Sequence, residues 1–352
     1  MYSDDGITIT HAPRLSTTRS TSLQSRLLAA KERKALHPTK GSPRDPRDNY
    51  TKGIMPKVHV ATPTSSLDHI DINLIIEWEN YEHGKLIAIP FGNEAQNRDN
   101  HANIGERLLT AATEITQADD VGISTPTPSE DAIINGITPY SFLIYKLSNE
   151  NVNTLLQRSV WSSTAITFRV VELHPPRPEF LFTLKDFTTR NDTSILNVVK
   201  ATWQSTVAQN LINDIIDSYI EDDRPELRND ITAFLLSAYI KRLNFRSKGN
   251  IEMPRFNIYA DSQFIPDDDL WFLLRNTLVS LTYKSPMQGR GTPDITPSTC
   301  GICHGIDHLT GMCEFPDMDG WNGPTRESIR MNKFQYGDRN KRTPRAARQI
   351  RF

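Results

Sequence analysis

The sequence predicts an α+β protein: a ferredoxin-like core of the split β-α-β kind with an inserted helical hairpin, then a small cysteine-rich segment, with disordered basic termini. Three observations predict it. Between residues 136 and 286 apolar runs of strand period alternate with stripes of helical period. All three cysteines of the 352 residues fall between 300 and 313. Charge is segregated: residues 1–57 carry eleven Lys/Arg against five Asp/Glu, 326–352 carry nine against two, and the stretch between has twenty against thirty-five.

Two basic arms therefore flank an acidic body, and such arms usually meet a polyanion. With 37% hydrophobic residues the chain can fill at least one core. MYSDDGITIT has no basic region followed by an apolar run, and no stretch approaches the roughly 18 to 20 apolar residues of a membrane span. A soluble intracellular protein, cytoplasmic or nuclear and neither secreted nor in a membrane, is expected.

The arm 1–65 is rich in Ser, Thr, Pro and charge, and its one short helical possibility, Leu23 to Leu36, has too little apolar content to stand alone. In the segment 66–135, helix and strand compete over LIIEW and LIAIP. A short helix is clear at Ile104, Leu108, Leu109 and Ile115, with Asn103 as its expected N-cap, and Ala118 to Asp131 has the punctuation of a linker.

The core, 136–286, begins with SFLIYKLS (141–148) as a buried strand. Val152, Leu155, Leu156 and Val160 then mark a helix, and Ile166, Phe168 and Val170 a strand. HPPRP reads as a turn, Phe180, Phe182 and Leu184 as a third strand, and Ile195, Val198 and Val199 as a helix with a capping signal. PRFNIYA (254–260) closes the split motif. The inserted hairpin has one stripe at Leu211, Ile212, Ile215, Ile216 and Tyr219 and another at Leu227, Ile231, Phe234, Leu235 and Ala238. Such stripes serve a core or a contact between copies, so a homo-oligomer is among the expected states. RNA-recognition domains share this element order, but EFLFTLKDF lacks their basic, glycine-containing third strand, and Tyr145, Phe180 and Phe182 are expected in the core.

In the region 287–325, Cys300, Cys303, His308 and Cys313 have the spacing C-x2-C-x4-H-x4-C. A zinc ion takes four such ligands in a tetrahedron, and two cysteines three apart can grip it from one turn. An odd cysteine count without a secretory signal argues against structural disulfides. So short a segment has no core, and one structural Zn2+ would supply its folding free energy. Four protein ligands leave no open position for catalysis. The stretch resembles the CCHC zinc knuckle of retroviral and retrotransposon Gag proteins. It departs where those knuckles have an aromatic and two glycines, here Gly301, His304 and Asp307. Asp307 would repel phosphate, and His304 is a rival ligand to His308.

Phe315 and Trp321 either offer rings to unpaired bases or cover the segment's apolar side. The tail 326–352 supplies cations for phosphates at Arg326, Arg330, Lys333, Arg339, Lys341, Arg342, Arg345 and Arg348. No catalytic signature is found. Asp267, Asp268 and Asp269 read as a capped helix start. The resemblance implies a non-enzymatic, Gag-like protein of retroelement origin whose partner is single-stranded nucleic acid, RNA rather than DNA. The alternative is a scaffold using the zinc segment for protein contacts.

Overall fold

The computed structural model describes residues 45–219, 225–246, 249–294 and 299–330. Residues 1–44 and 331–352, which hold most of the two arms expected to be disordered, lie outside the described residues.

The first half runs α1 (Ile72–Asn80), β1 (Gly84–Pro90), α2 (His101–Thr116), β2 (Gly122–Ser124), α3 (Glu130–Ile134), β3 (Phe142–Leu147), α4 (Asn149–Arg158), β4 (Val160–Ser162) and β5 (Thr167–Val171). Its strands form one antiparallel sheet in the order β2-β3-β1-β5-β4. Burial decides the central strand. β1 sends Leu86 and Ala88 to one apolar cluster and Ile87 and Ile89 to another, and all four are buried. A strand covered on both faces shows no polar alternation, which is why helix and strand compete in its sequence. Helices α2 and α4 cover one face, packing Ile104, Leu108 and Leu155 with Phe142, Ile144 and Phe168. Trp78 of α1 covers the other, and its Nε1 donates to Ser124 Oγ at 2.9 Å.

The second half runs β6 (Phe180–Lys185), α5 (Asp192–Trp203), α6 (Thr206–Tyr219), α7 (Pro225–Leu236), β7 (Tyr239–Arg246), β8 (Glu252–Tyr259), α8 (Asp268–Ser280), β9 (Tyr283–Ser285) and β10 (Gly289–Asp294). Its sheet has the order β7-β8-β6-β10-β9, the order of the first sheet with five added to every strand number. The repeat extends to the connections. β3 and β5 both run antiparallel to β1, so they are parallel to each other and joined through α4. In the same way β8 and β10 both run antiparallel to β6 and are joined through α8. The fold is α+β, with one strand order laid down twice.

The single core expected over 136–286 is therefore corrected. Two of its strands, β3 and β5, belong to the first sheet, and the other two, β6 and β8, to the second. HPPRP is not a hairpin turn but the crossover between sheets, and the middle strand between β3 and β5 comes from upstream, as β1. Val160 opens β4 instead of ending a helix, because Ser159 turns the chain at φ +55°. The linker expected from Ala118 to Asp131 contains β2 and the Ser129 cap of α3. Asn100, not Asn103, precedes α2. Gly289–Asp294, inside the 287–325 region assigned to the knuckle, form β10.

Two helical readings match the structure. Asp267 caps α8, its side chain accepting from Leu270 N at 2.9 Å. Ile212, Ile216, Leu227, Ile231 and Phe234 of α6 and α7 are buried in the second core. Among the described residues no helix is long and apolar enough to cross a membrane.

Residues 45–65, expected in the disordered arm, are packed. Tyr50 sets its ring edge-on to Trp161 at 5.4 Å, and the strap 56–66 is held by Arg275, which donates from Nη1 to Ala61 O at 3.1 Å and from Nε to Leu181 O of β6 at 2.7 Å. With both sheets tied together, Phe168→Ala and Phe256→Ala should each cost about 3–5 kcal/mol. Calorimetry should show one cooperative transition lowered by either variant; two transitions, each moved by only one variant, would mean that the halves unfold independently.

Candidate metal centre

The segment CGICHGIDHLTGMC has almost no regular structure, and its hydrogen bonds show how it holds its shape. Cys300 N–H donates to Gly305 O at 2.8 Å and His304 N–H to Cys300 O at 2.9 Å, closing a tight turn after the two cysteines. Ile302 N–H points at Cys300 Sγ (3.4 Å) and Gly305 N–H at Cys303 Sγ (3.3 Å), so both sulfurs accept from backbone. Gly301 N–H donates to Thr310 Oγ1 at 2.8 Å, drawing in the 3-10 turn Thr310–Met312 that presents Cys313.

This winding brings Cys300, Cys303, His308 and Cys313 together, with all ligand atoms within 4.8 Å of one another. The three cysteines are fully buried and His308 half-buried. Zn–S bonds of about 2.3 Å place tetrahedral ligands about 3.7 Å apart, and Cys303 Sγ lies 3.5 Å from His308 Nε2. The group is positioned to hold one metal ion and is compatible with a single zinc.

Histidine 304, the rival ligand, faces elsewhere: its Nε2 lies 3.1 Å from Pro90 O and its ring stacks on Tyr140 at 4.5 Å. Burial and the nearby Arg169 cation push its pKa down to about 4, so the ring is neutral. It occupies the left-handed region at φ +63°. Histidine tolerates that region better than most residues, and ring packing offsets the strain.

Asp307 organises the site. Its Oδ1 lies 2.7 Å from His308 Nδ1, which fixes the tautomer and turns Nε2 toward the sulfurs. Its Oδ2 accepts from Tyr259 OH at 2.9 Å, and its backbone oxygen accepts from Asn257 Nδ2. Burial opposes its charge, yet His308, His59 and Tyr259 hold the carboxyl below the usual carboxylate range. Burial likewise opposes a cationic His308, but Asp307 and the sulfurs of Cys300 and Cys313 push its pKa up to about 12. Hydrogen bonds from Cys303 and Cys313 lower the Cys300 thiol, and those with Cys300 and Cys313 raise Cys303. A dication displaces the protons for which these groups compete.

The centre lies between the sheets. Toward the second, Asp307 meets Asn257 and Tyr259 of β8. Toward the first, Gly92 N–H donates to Ile302 O at 2.8 Å, and Phe91, just past β1, packs edge-on to Phe315 at 4.9 Å. Ile306 N–H donates to His59 O of the strap at 3.0 Å.

Not all residues expected to touch nucleic acid are free to do so. Phe315 is 1% exposed, so its ring offers no face to a base. Trp321 is half-buried, tilted on Phe91 and Phe315, with Nε1 donating to Pro324 O at 3.2 Å. Arg326 binds both carboxylate oxygens of Asp317 and reaches Cys313 O. Arg330 is exposed. Lys333, Arg339, Lys341, Arg342, Arg345 and Arg348 lie outside the described residues. Sequence reasoning missed Asp307, read as a deterrent to phosphate; a carboxylate directly before a ligand histidine was the available signal. It also missed Asn257, Tyr259 and His59, which are remote in sequence.

No family model matches the chain, and no curated protein and no solved structure is significantly similar to it.

Asp307→Asn should weaken zinc binding about 10- to 100-fold while leaving four ligands, measured by competition with a chromophoric chelator. Zinc affinity should also fall between about pH 8 and pH 5, because the thiols and His308 must give up protons to bind. Asp307, whose pKa is lowered, contributes stability above the carboxylate range and loses it only as pH falls through its depressed value. A pH-independent affinity over that window would contradict thiolate ligation.

Proposed function

We propose that the protein is a non-catalytic, Gag-like binder of single-stranded nucleic acid, RNA before DNA, in which one zinc ion staples two sheets and the basic segments contact phosphate. The observation that carries this reading is the charge segregation: 326–352 has nine Lys/Arg against two Asp/Glu beside an acidic body. The buried centre supports a change in the zinc's role. A Gag-type knuckle grips bases with its own surface, whereas here Phe315 and Asp307 are both buried. The twice-repeated strand order supports reading each half as a ferredoxin-like domain. Neither sheet offers the open aromatic face that RNA-recognition domains use: α1 covers one, and the metal segment sits on Asn257 and Tyr259 of the other. Binding energy is thus assigned to the basic segments, whose cations read charge and not sequence.

The burial of the metal segment also favours a second reading, a scaffold whose basic segments hold acidic proteins. Fluorescence anisotropy with a single-stranded RNA separates the two. If about five tail cations touch phosphate, affinity should drop roughly a hundredfold from 50 to 200 mM salt, a slope of about 0.7 per contact. Ending the chain after Arg330 should flatten that slope with zinc content unchanged. Equal affinity and slope in the truncated and full chains would overturn the assignment.

A further inference from the structure

The strap 56–66, the end of β5 and the crossover 172–179 line an open cavity of about 470 Å³. Its walls combine aliphatic surface at Val58, Val60, Pro63, Leu156 and Val171 with the charged Lys57, Glu172 and Glu179. Yet three residues lining it hold a buried polar atom with no partner: Ser66 Oγ, Arg169 Nε and Arg177 Nε. Arg177 is partly committed, since its Nη1 donates to Asp268 at 3.0 Å. Arg169 is not. It is 7% exposed, and among the described residues its guanidinium makes no hydrogen bond or ion pair.

The register of β5 explains how it got there. Arg169 pairs with Ile89, and Val171 with Ile87, so the guanidinium shares the face whose other members form an apolar core. Leucine or methionine would fill that place at no electrostatic cost. The nearby carboxylates do not serve it: Glu179 is bound to Lys57 and Tyr239, and Glu172 is exposed. Burial opposes its charge, and Tyr140 and Cys303 offset part of that cost from a distance. They give its N–H groups no acceptor.

We propose that this cavity binds a small organic anion, a carboxylate or phosphate monoester on an apolar body, with Arg169 as a two-pronged donor and Ser66 as a hydroxyl donor. A planar guanidinium matches two oxygens of either head group, and the cavity is within the size range of small-molecule sites. The proposal does not depend on nucleic-acid binding.

The test uses the full zinc-loaded chain in calorimetric titrations with hexanoate, hexyl phosphate, inorganic phosphate and hexanol. Binding by hexanoate or hexyl phosphate, at least about tenfold tighter than by hexanol or inorganic phosphate, supports the site; the tighter of the two identifies the head group. Arg169→Lys keeps the charge but not the fork, and should weaken binding about tenfold with zinc content unchanged. Arg169→Met should abolish binding, keep zinc and raise the Tm of the ligand-free protein. Should Arg169→Met fail to fold, Ser66→Ala, expected to weaken binding several-fold, carries the test. The proposal is overturned if none of the four compounds binds, or if Arg169→Met loses zinc while Arg169→Lys and Ser66→Ala bind anions as the parent does, which would leave Arg169 as a counter-charge to the metal centre and nothing more.

Discussion

The link between the Asp307 carboxylate and the His308 imidazole is the constraint on which the rest depends. A buried carboxylate is tolerated only when its oxygens are matched, and here one faces the imidazole while the other accepts from Tyr259 of the second sheet. The same residue thus aims a metal ligand and holds a strand. Because Ile302 and Phe315 grip the end of β1 on the opposite side, an ion closing the Cys3His tetrahedron would fix the separation of the two sheets. Structural zinc contributes on the order of 10–16 kcal/mol in small peptides, against a typical net domain stability of about 5–15 kcal/mol. An ion in this position is of the same magnitude as the whole margin of stability.

The repeated topology shows why such a clasp is needed. Each half has its own core under its own helices, and the two cores share no residue. Between the sheets lie short segments: the crossover, the strap and the metal loop. Irregular backbone there must find partners for its polar groups, and much of it does so within the metal loop, through N–H groups directed at sulfur and at turn carbonyls. The metal loop is therefore part of the body, not a bead on the basic tail.

What was legible in the sequence follows from which signals are local. The four ligands were readable because metal chelation leaves a short, fixed spacing, and the Asp267 cap because capping acts over three residues. Strands such as Phe180–Lys185 were readable from their apolar content. Which strands share a sheet was not, since pairing depends on contacts far apart in sequence: β1 inserts between β3 and β5 from more than fifty residues upstream of β3. Short strands such as Gly122–Ser124 and Val160–Ser162 are too brief to show a period, and were absorbed into a linker and a helix. Asp307 was misread because its meaning depends on Tyr259 and Asn257, about fifty residues earlier.

Charge balance and hydrogen bonding are separate requirements, and the region around the metal centre meets them differently. One dication with three thiolates and a neutral imidazole carries one negative charge, and Asp307 adds another. Arg169 supplies a cation, while His304, lowered to about 4 by burial and by that same arginine, stays neutral. Coulombic attraction acts through several ångströms of protein, so the arginine can balance charge without touching a sulfur. A hydrogen bond cannot be satisfied at that range. The unmatched N–H of Arg169 and the unmatched hydroxyl of Ser66 therefore remain after the electrostatics are accounted for, and both line the same cavity beside the strap.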